Sequence, residues 1–102
     1  MKPVIFHLEA EAEFRGAISY YESQREGLGG EYRSEIEAAV SRIQRNPAAF
    51  SPYDARGTCR CRVQRFPYTI HFVEFEAYIW IASVAHNRRR PNYWAARSPE
   101  DG

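Results

Sequence analysis

The sequence is short of cysteine, lysine and long apolar runs. Only two of its 102 residues are cysteine and only one is lysine, so thirteen of the fourteen basic residues are arginine. The longest apolar stretch, from Tyr78 to Ala85, is far shorter than the ~20 residues that a membrane-spanning helix needs. Residues 1–6 lack the apolar run of a secretory signal. We therefore expect a cytoplasmic protein without a membrane partner, forming a single domain over residues 1–102.

Cys59 and Cys61 stand two residues apart in a segment that we predict to be a strand. Their side chains would share one face, with Cα atoms roughly 6.5–7 Å apart, at or beyond the limit for a disulfide. The histidines His7, His71 and His86 add no ligands at the spacing of a zinc site. We therefore predict two small side chains on a buried strand face, no metal site and no cofactor.

Charge is distributed unevenly along the chain. Residues 1–55 carry nine acidic and six basic side chains, whereas residues 56–97 carry eight arginines against two glutamates, a balance of +6. Arginine presents a planar fork that matches phosphate and carboxylate groups and stacks on aromatic rings. The second half therefore indicates an anionic partner or, alternatively, a solvated strand face followed by a charged tail.

Hydrophobic periodicity predicts two helices after an N-terminal strand over residues 2–8. The helices are expected near residues 9–26 and 30–46, separated by the glycine run 27–30 and stopped at Asn46-Pro47. Two antiparallel helices joined by a short turn are the economical arrangement. The helical residues predicted to lie in the core are Phe14, Ile18, Tyr21, Ile36, Val40 and Ile43.

Three strand-like runs follow, over residues 58–66, 69–75 and 78–86, with breaks short enough for hairpins. The last run is apolar on both faces and so belongs inside the sheet, beside the N-terminal strand. The first run bears exposed arginines and is expected at the far edge. The predicted fold is α+β, in the order β-α-α-β-β-β, with a helical hairpin packed on one face of a mostly antiparallel four-stranded sheet. The strand residues predicted to lie in the core are Ile70, Phe72, Ile79, Ile81 and Val84.

Three phrases of the sequence resemble the RelE/ParE superfamily of bacterial type II toxin–antitoxin systems, in particular its ParE-like branch. They are the helix phrase 17–21 (AISYY), the hairpin phrase 65–72 (RFPYTIHF) and the ending 84–94 (VAHNRRRPNYW). The resemblance implies a toxin that inhibits growth when free of a cognate antitoxin and forms a hetero-oligomer with it. The superfamily contains both inhibitors of DNA gyrase and ribosome-dependent mRNA endonucleases, so the resemblance alone does not identify the target.

The ParE-like features favour binding to DNA gyrase, since that branch generally lacks the full catalytic set of the endonucleases. The first alternative is a metal-independent, ribosome-dependent mRNA endonuclease of the RelE type. The second is an inactive relative that serves as an antitoxin-binding module. In each case we expect the antitoxin segment that binds the toxin to be largely apolar, with acidic residues that meet the arginines of the second half.

Cleavage of RNA by its own 2′-hydroxyl needs a base, an acid and cations that stabilise charge on the phosphate. The candidate acid or base is His86, and the candidate phosphate clamps are Arg62, Arg65, Arg89 and Arg90. Tyr68 and Tyr93 are candidates for stacking on a base or donating a proton. No acidic residue is obviously placed as the base. Alternatively, His86 forms a hydrogen bond with a backbone group at the end of the sheet, and Arg62 only lies on the solvent-exposed face of an edge strand.

For a binding toxin, the candidate target-binding residues are Arg60, Arg89, Arg90, Tyr93 and Trp94. The arginines alternatively form a solvated turn or meet the antitoxin, and the two aromatic residues alternatively anchor the C-terminal segment to the core. We predict that the catalytic and target-binding candidates share one surface. It would be formed by the exposed face of the first meander strand and the segment after the last strand.

Overall fold

The computed structural model describes residues 1–101. The elements are β1 (Val4–Phe6), α1 (Leu8–Gln24), α2 (Leu28–Arg45), a 3-10 turn (Pro47–Ala49), β2 (Thr58–Arg62), β3 (Tyr68–Glu74) and β4 (Ile79–His86). The sheet order is β1-β4-β3-β2, with β1 parallel to β4 and the other pairs antiparallel. The predicted α+β fold is therefore confirmed, including the arginine-bearing strand at the far edge.

The glycine run between the helices is not a simple break, which corrects the predicted helix bounds. α1 ends at residue 24 rather than 26, and α2 begins at residue 28 rather than 30, so that Gly29 and Gly30 are helical. Gly27 has a left-handed φ of 88°, which favours glycine. The Glu22 carboxylate accepts hydrogen bonds from the backbone N–H groups of Gly27 (2.9 Å) and Gly29 (3.0 Å). A side chain of α1 thus satisfies free donors at the start of α2.

The helical hairpin packs on one face of the sheet, but α1 contributes differently from the prediction. Its buried residues are Ala10 and Ala17, whereas Phe14, Ile18 and Tyr21 are half-buried and pack against the core. Because the alanines are small, α1 approaches the sheet closely at these positions and its larger side chains lie to either side. These three residues, which were predicted to lie in the core, therefore pack against it without being fully buried.

The main core lies between α2 and the inner face of the sheet. In α2, Ile36 and Ile43 are buried and Val40 is half-buried. The strand residues predicted for the core are all buried: Ile70, Phe72, Ile79, Ile81 and Val84. The two cysteines, Cys59 and Cys61, are free thiols buried against the same core, as their spacing predicted. Neither helix in residues 1–101 is long and apolar enough to cross a membrane.

Several strand ends differ from the predicted bounds. β1 covers residues 4–6 rather than 2–8, and β2 stops at Arg62 rather than continuing to residue 66. The reason for the second difference is the turn, in which Arg65 has a left-handed φ of 70° that a strand does not accommodate. The chain closes this turn with a hydrogen bond from the Val63 N–H to the Tyr68 carbonyl, at 3.0 Å. β3 accordingly starts at Tyr68, one residue earlier than predicted.

Residues 87–101, here called the tail, fold back over the outer, helix-free face of the sheet. A second apolar cluster forms there from Val73, Trp80, Ala82 and Trp94. Side chains fix the tail in place: the Arg56 guanidinium donates to the carbonyls of residues 95 (2.9 Å) and 97 (3.0 Å). Near the chain end, the His7 ring Nε2 lies 3.0 Å from an Asp101 carboxylate oxygen. The tail thereby becomes one wall of a cavity on the outer face of the sheet.

Candidate functional site

An open cavity of about 390 Å³, here called the outer cavity, lies where the exposed face of β2 meets the tail. It brings together seven of the nine residues predicted for the two functional sets. They are Arg60, Arg62, His86, Arg89, Arg90, Tyr93 and Trp94. The strands carrying Arg62 and His86 are separated by β3, yet both side chains line the same space. The predicted convergence of β2 with the tail is therefore present in the fold.

The other two predicted residues, Arg65 and Tyr68, lie outside this cavity. Arg65 donates a 2.6 Å hydrogen bond to Glu31 and lies 3.6 Å from the Glu35 carboxylate, both on α2. Tyr68 faces the helices, where its ring centroid is 5.0 Å from that of Tyr32. Burial raises the pKa of the Tyr68 hydroxyl, which makes it a weaker acid than an exposed tyrosine. The structure thus divides the candidate catalytic set between the two faces of the sheet.

Tyr68 does meet one predicted residue from the inner side. Its ring stands edge-on to the His86 ring, with centroids 5.1 Å apart. The two line a second groove, of about 270 Å³, between α1 and the ends of β3 and β4, which Arg89 and Gly16 also border. His86 and Arg89 therefore lie between the outer cavity and this groove, and are accessible from both.

Four arginines of the outer cavity make no ion pair within residues 1–101, namely Arg60, Arg62, Arg89 and Arg90. Two of them rest on aromatic rings, since the Arg60 guanidinium lies 4.5 Å from the Tyr53 centroid and that of Arg89 lies 3.8 Å from the Tyr93 centroid. Such contacts contribute about 0.5–1 kcal/mol each at exposed sites and restrict the side chains. No carboxylate residue lines the described cavity. Its electrostatic potential is therefore positive and favours anions.

His71, which the sequence did not mark as a site residue, forms the floor of the outer cavity with Trp94. Their rings stack with centroids 4.6 Å apart, and the His71 Nδ1 lies 2.7 Å from the Ser83 hydroxyl oxygen. Burial and the nearby positive charge of Arg60 lower the pKa of His71 to about 4, although Glu13 acts in the opposite direction. His71 is therefore neutral at pH 7. Trp94, only 3% exposed, anchors the tail and offers little surface to a partner.

Glu13 of α1 connects the tail to β4, a contact that the sequence did not indicate. Its carboxylate accepts hydrogen bonds from the Tyr93 hydroxyl (2.7 Å), an Arg97 guanidinium nitrogen (2.7 Å) and the Val84 backbone N–H (2.9 Å). Arg97 also donates to the Ala82 carbonyl at 2.9 Å. In the sequence Glu13 is one of three glutamates near the start of a helix, so the pattern gives no sign that Glu13 is less exposed than the other two.

Comparison with known proteins identifies the family. Residues 4–91 match the model of the family described as "ParE toxin of type II toxin-antitoxin system, parDE". This chain belongs to the ParE toxin family. Its structure is also similar to a chain of the "Chromosomal ParDE TA system from P. aeruginosa", with a TM-score of 0.70, 17% sequence identity, and coverage of 84% of this chain and 96% of that chain. No curated protein matches it in sequence. The family is one half of a toxin–antitoxin pair, so membership implies an antitoxin partner.

His86 lines both the outer cavity and the groove on the inner side. Its Nδ1 accepts a 3.0 Å hydrogen bond from the backbone N–H of Arg88, so Nε2 is the ring nitrogen left available to a ligand. The Tyr93 hydroxyl is no second acid, because burial and its hydrogen bond to Glu13 raise its pKa. Within residues 1–101 no cluster of three His, Cys, Asp or Glu side chains could hold a metal ion. The geometry is suited to binding an anion and lacks an evident acid–base pair.

Proposed function

We propose that this ParE-family toxin inhibits growth by binding DNA gyrase, with the outer cavity as part of its target-binding surface, until a cognate antitoxin covers it. The observation that supports a binding toxin over a nuclease is the division of the candidate catalytic set. Arg62 and His86 line the outer cavity, whereas Arg65 is paired with Glu31 on the inner side of the sheet. The target-binding candidates of the tail and β2 remain together.

The chemistry of RNA cleavage supports the same preference. In-line attack by a 2′-hydroxyl is fastest when one group removes its proton while another protonates the leaving oxygen. The cavity offers His86 for one of these roles, but the raised pKa values of Tyr68 and Tyr93 make both hydroxyls weaker acids and exclude them as bases at neutral pH. The ribosome-dependent endonuclease is the second candidate, because the free Nε2 of His86 lies beside four unpaired arginines.

Expression of the chain without its antitoxin separates the two candidates. Gyrase binding predicts an early loss of DNA supercoiling with messages intact, and purified toxin should inhibit supercoiling of relaxed plasmid by purified gyrase. The double substitution Arg89→Gln, Arg90→Gln should weaken this inhibition, because it removes two cavity charges. The matched control is Arg33→Gln, Arg45→Gln, which removes two exposed arginines of α2 and should have no effect.

The His86→Ala variant distinguishes a gyrase-binding toxin from an endonuclease. A gyrase-binding toxin should keep most of its activity without this imidazole. If instead messages are cut within minutes of induction, and His86→Ala lowers that cleavage by about 10²–10⁴-fold, the protein is an endonuclease and the gyrase proposal fails.

The antitoxin is expected to cover the arginines of the second half with acidic residues, next to a largely apolar contact. The charge balance of +6 over residues 56–97 motivates this expectation. Co-expression of the adjacent gene should restore growth, and the two purified chains should bind tightly. A neighbouring gene product with no measurable affinity for this chain would contradict it.

A further inference from the structure

We propose that the outer cavity binds the phosphodiester backbone of DNA, so that the toxin recognises gyrase with its DNA substrate in preference to gyrase alone. This inference rests on the proposed function, because it names the ligand of the same site. It adds a nucleic-acid contact to what would otherwise be a purely protein–protein interaction.

The first support is uncompensated charge. Some arginines outside the cavity are neutralised by carboxylates: Arg65 bonds Glu31 at 2.6 Å and Arg97 bonds Glu13 at 2.7 Å. The four arginines of the outer cavity converge without such partners inside the described chain, and like charges held together repel one another. A cleft lined by one sign of charge concentrates ligands of the opposite sign. The cavity is therefore suited to an anion that residues 1–101 do not supply.

The second support is the arrangement of the donors. Arg60 and Arg62 alternate on one face of β2, so their Cα atoms are roughly 6.5–7 Å apart along one wall. Arg89 and Arg90 line the same cavity from the tail. Two pairs of planar, two-pronged donors suit successive phosphates of one strand, because each guanidinium can bond two oxygens of one phosphate.

The aromatic rings beneath the arginines lower the cost of binding. Arg60 lies over Tyr53 and Arg89 lies over Tyr93, so both guanidinium groups are partly ordered before a ligand arrives. Less side-chain entropy is then lost when a phosphate binds. Tyr93 is itself fixed by its 2.7 Å hydrogen bond to Glu13, which extends this order to the body of the protein.

The floor of the cavity favours phosphate over an acidic peptide. A protein partner usually buries an apolar patch at the centre of its interface. Here the polar residues Thr69, His71 and Asn87 line the cavity, and Trp94 is almost fully covered. Contacts that position a protein on DNA are, in contrast, mainly hydrogen bonds and charges directed at phosphate. DNA is also the polyanion that the proposed target holds.

The test measures binding of fluorescently labelled toxin to gyrase alone, to gyrase loaded with a linear DNA duplex, and to the duplex alone, over a range of salt concentrations. We expect binding to the gyrase–DNA complex to be about tenfold tighter than to gyrase alone and to weaken with salt. Arg60→Gln, Arg62→Gln should remove most of this gain and reduce the salt slope by about two, since each phosphate contact contributes about 0.9. Arg33→Gln, Arg45→Gln is the charge-matched control and should leave both quantities unchanged.

The outcomes separate this inference from the proposed function. Equal affinity for gyrase with and without DNA overturns the inference and leaves gyrase binding intact. Displacement by poly-glutamate but not by DNA overturns it in favour of an acidic protein ligand, and a preference for single-stranded RNA over the duplex overturns it in favour of an RNA site. If gyrase is not bound at all, yet the duplex alone is bound with a salt slope that Arg60→Gln, Arg62→Gln reduces, the proposed function fails and the phosphate site stands.

Discussion

Glu13→Ala is predicted to release the tail from the body of the protein. The Glu13 carboxylate accepts hydrogen bonds from Tyr93, Arg97 and Val84 at 2.7 to 2.9 Å, and the side chains of Glu13 and Arg97 are only 15% and 10% exposed. Removing one partner of a buried pair costs about 3–5 kcal/mol. Because this pair is not fully buried, we expect a loss near the lower end, about 3 kcal/mol of unfolding free energy. Glu13→Gln keeps the shape and should cost about 1–2 kcal/mol.

Urea unfolding followed by tryptophan fluorescence measures this loss, since Trp80 and Trp94 are both buried in the cluster beneath the tail. The control is Glu11→Ala, because the Glu11 carboxylate is 49% exposed and lies 3.7 Å from Arg15. It should change the free energy by less than about 0.5 kcal/mol.

The double variant Glu13→Ala, Arg97→Met should be less destabilised than the sum of the two single variants, since the pair is broken only once. Two results would refute the assigned role of Glu13. One is strict additivity of the two substitutions. The other is a Glu13→Ala variant that is no less stable than Glu11→Ala.

Three further predictions concern the interior. The free energy of unfolding should fall by about 1–2 kcal/mol between pH 7 and pH 5 through His71. Because the pKa of His71 is lowered to about 4 in the folded protein, the imidazole binds a proton in this range only in the unfolded chain. Urea titrations of the His71→Gln variant should lack this part of the loss. Gly29→Ala should lower the free energy of unfolding by about 1–3 kcal/mol, because its Cβ would stand 2.6 Å from the Ile18 carbonyl oxygen. The control Gly30→Ala meets open space and should be neutral or stabilising in thermal denaturation. Equal melting temperatures of the two variants would contradict the close helix contact. Tyr32→Phe should be neutral or slightly stabilising, because the hydroxyl is buried without a hydrogen-bond partner in the described chain, and a loss above about 1.5 kcal/mol would reveal a partner.

The fold was predictable because the pattern of apolar residues shows which faces of a strand are buried. β4 is buried along residues 79–85 on both faces, and β2 alternates buried Cys59 and Cys61 with exposed Arg60 and Arg62. α1 was harder to predict, because a helix packs closest through its small residues. The periodic pattern does not tell whether Phe14 or its neighbour Ala17 lies at the point of contact.

The outer cavity was partly predictable, since alternation places Arg60 and Arg62 on one face and chain order places the basic tail after β4. Arg65 could not be assigned correctly from its spacing, because the left-handed turn directs it to the helices and to Glu31. Glu13 and His71 were missed for a related reason. Their roles depend on contacts with residues 80 and 23 positions away, Tyr93 and Trp94, which local pattern does not encode.

The sheet itself explains why the cavity keeps its positive charge. Eight of the chain's thirteen acidic residues lie between Glu9 and Glu37, seven of them in the two helices and Glu26 in the turn between, and both helices pack on the inner face. An arginine that turns inward, such as Arg65, meets these carboxylates and is neutralised. An arginine that β2 directs outward has the sheet between itself and the helices. The two-layer architecture therefore separates the charges, and the exception, Glu13 at the helix start, is itself occupied by Arg97 and the tail.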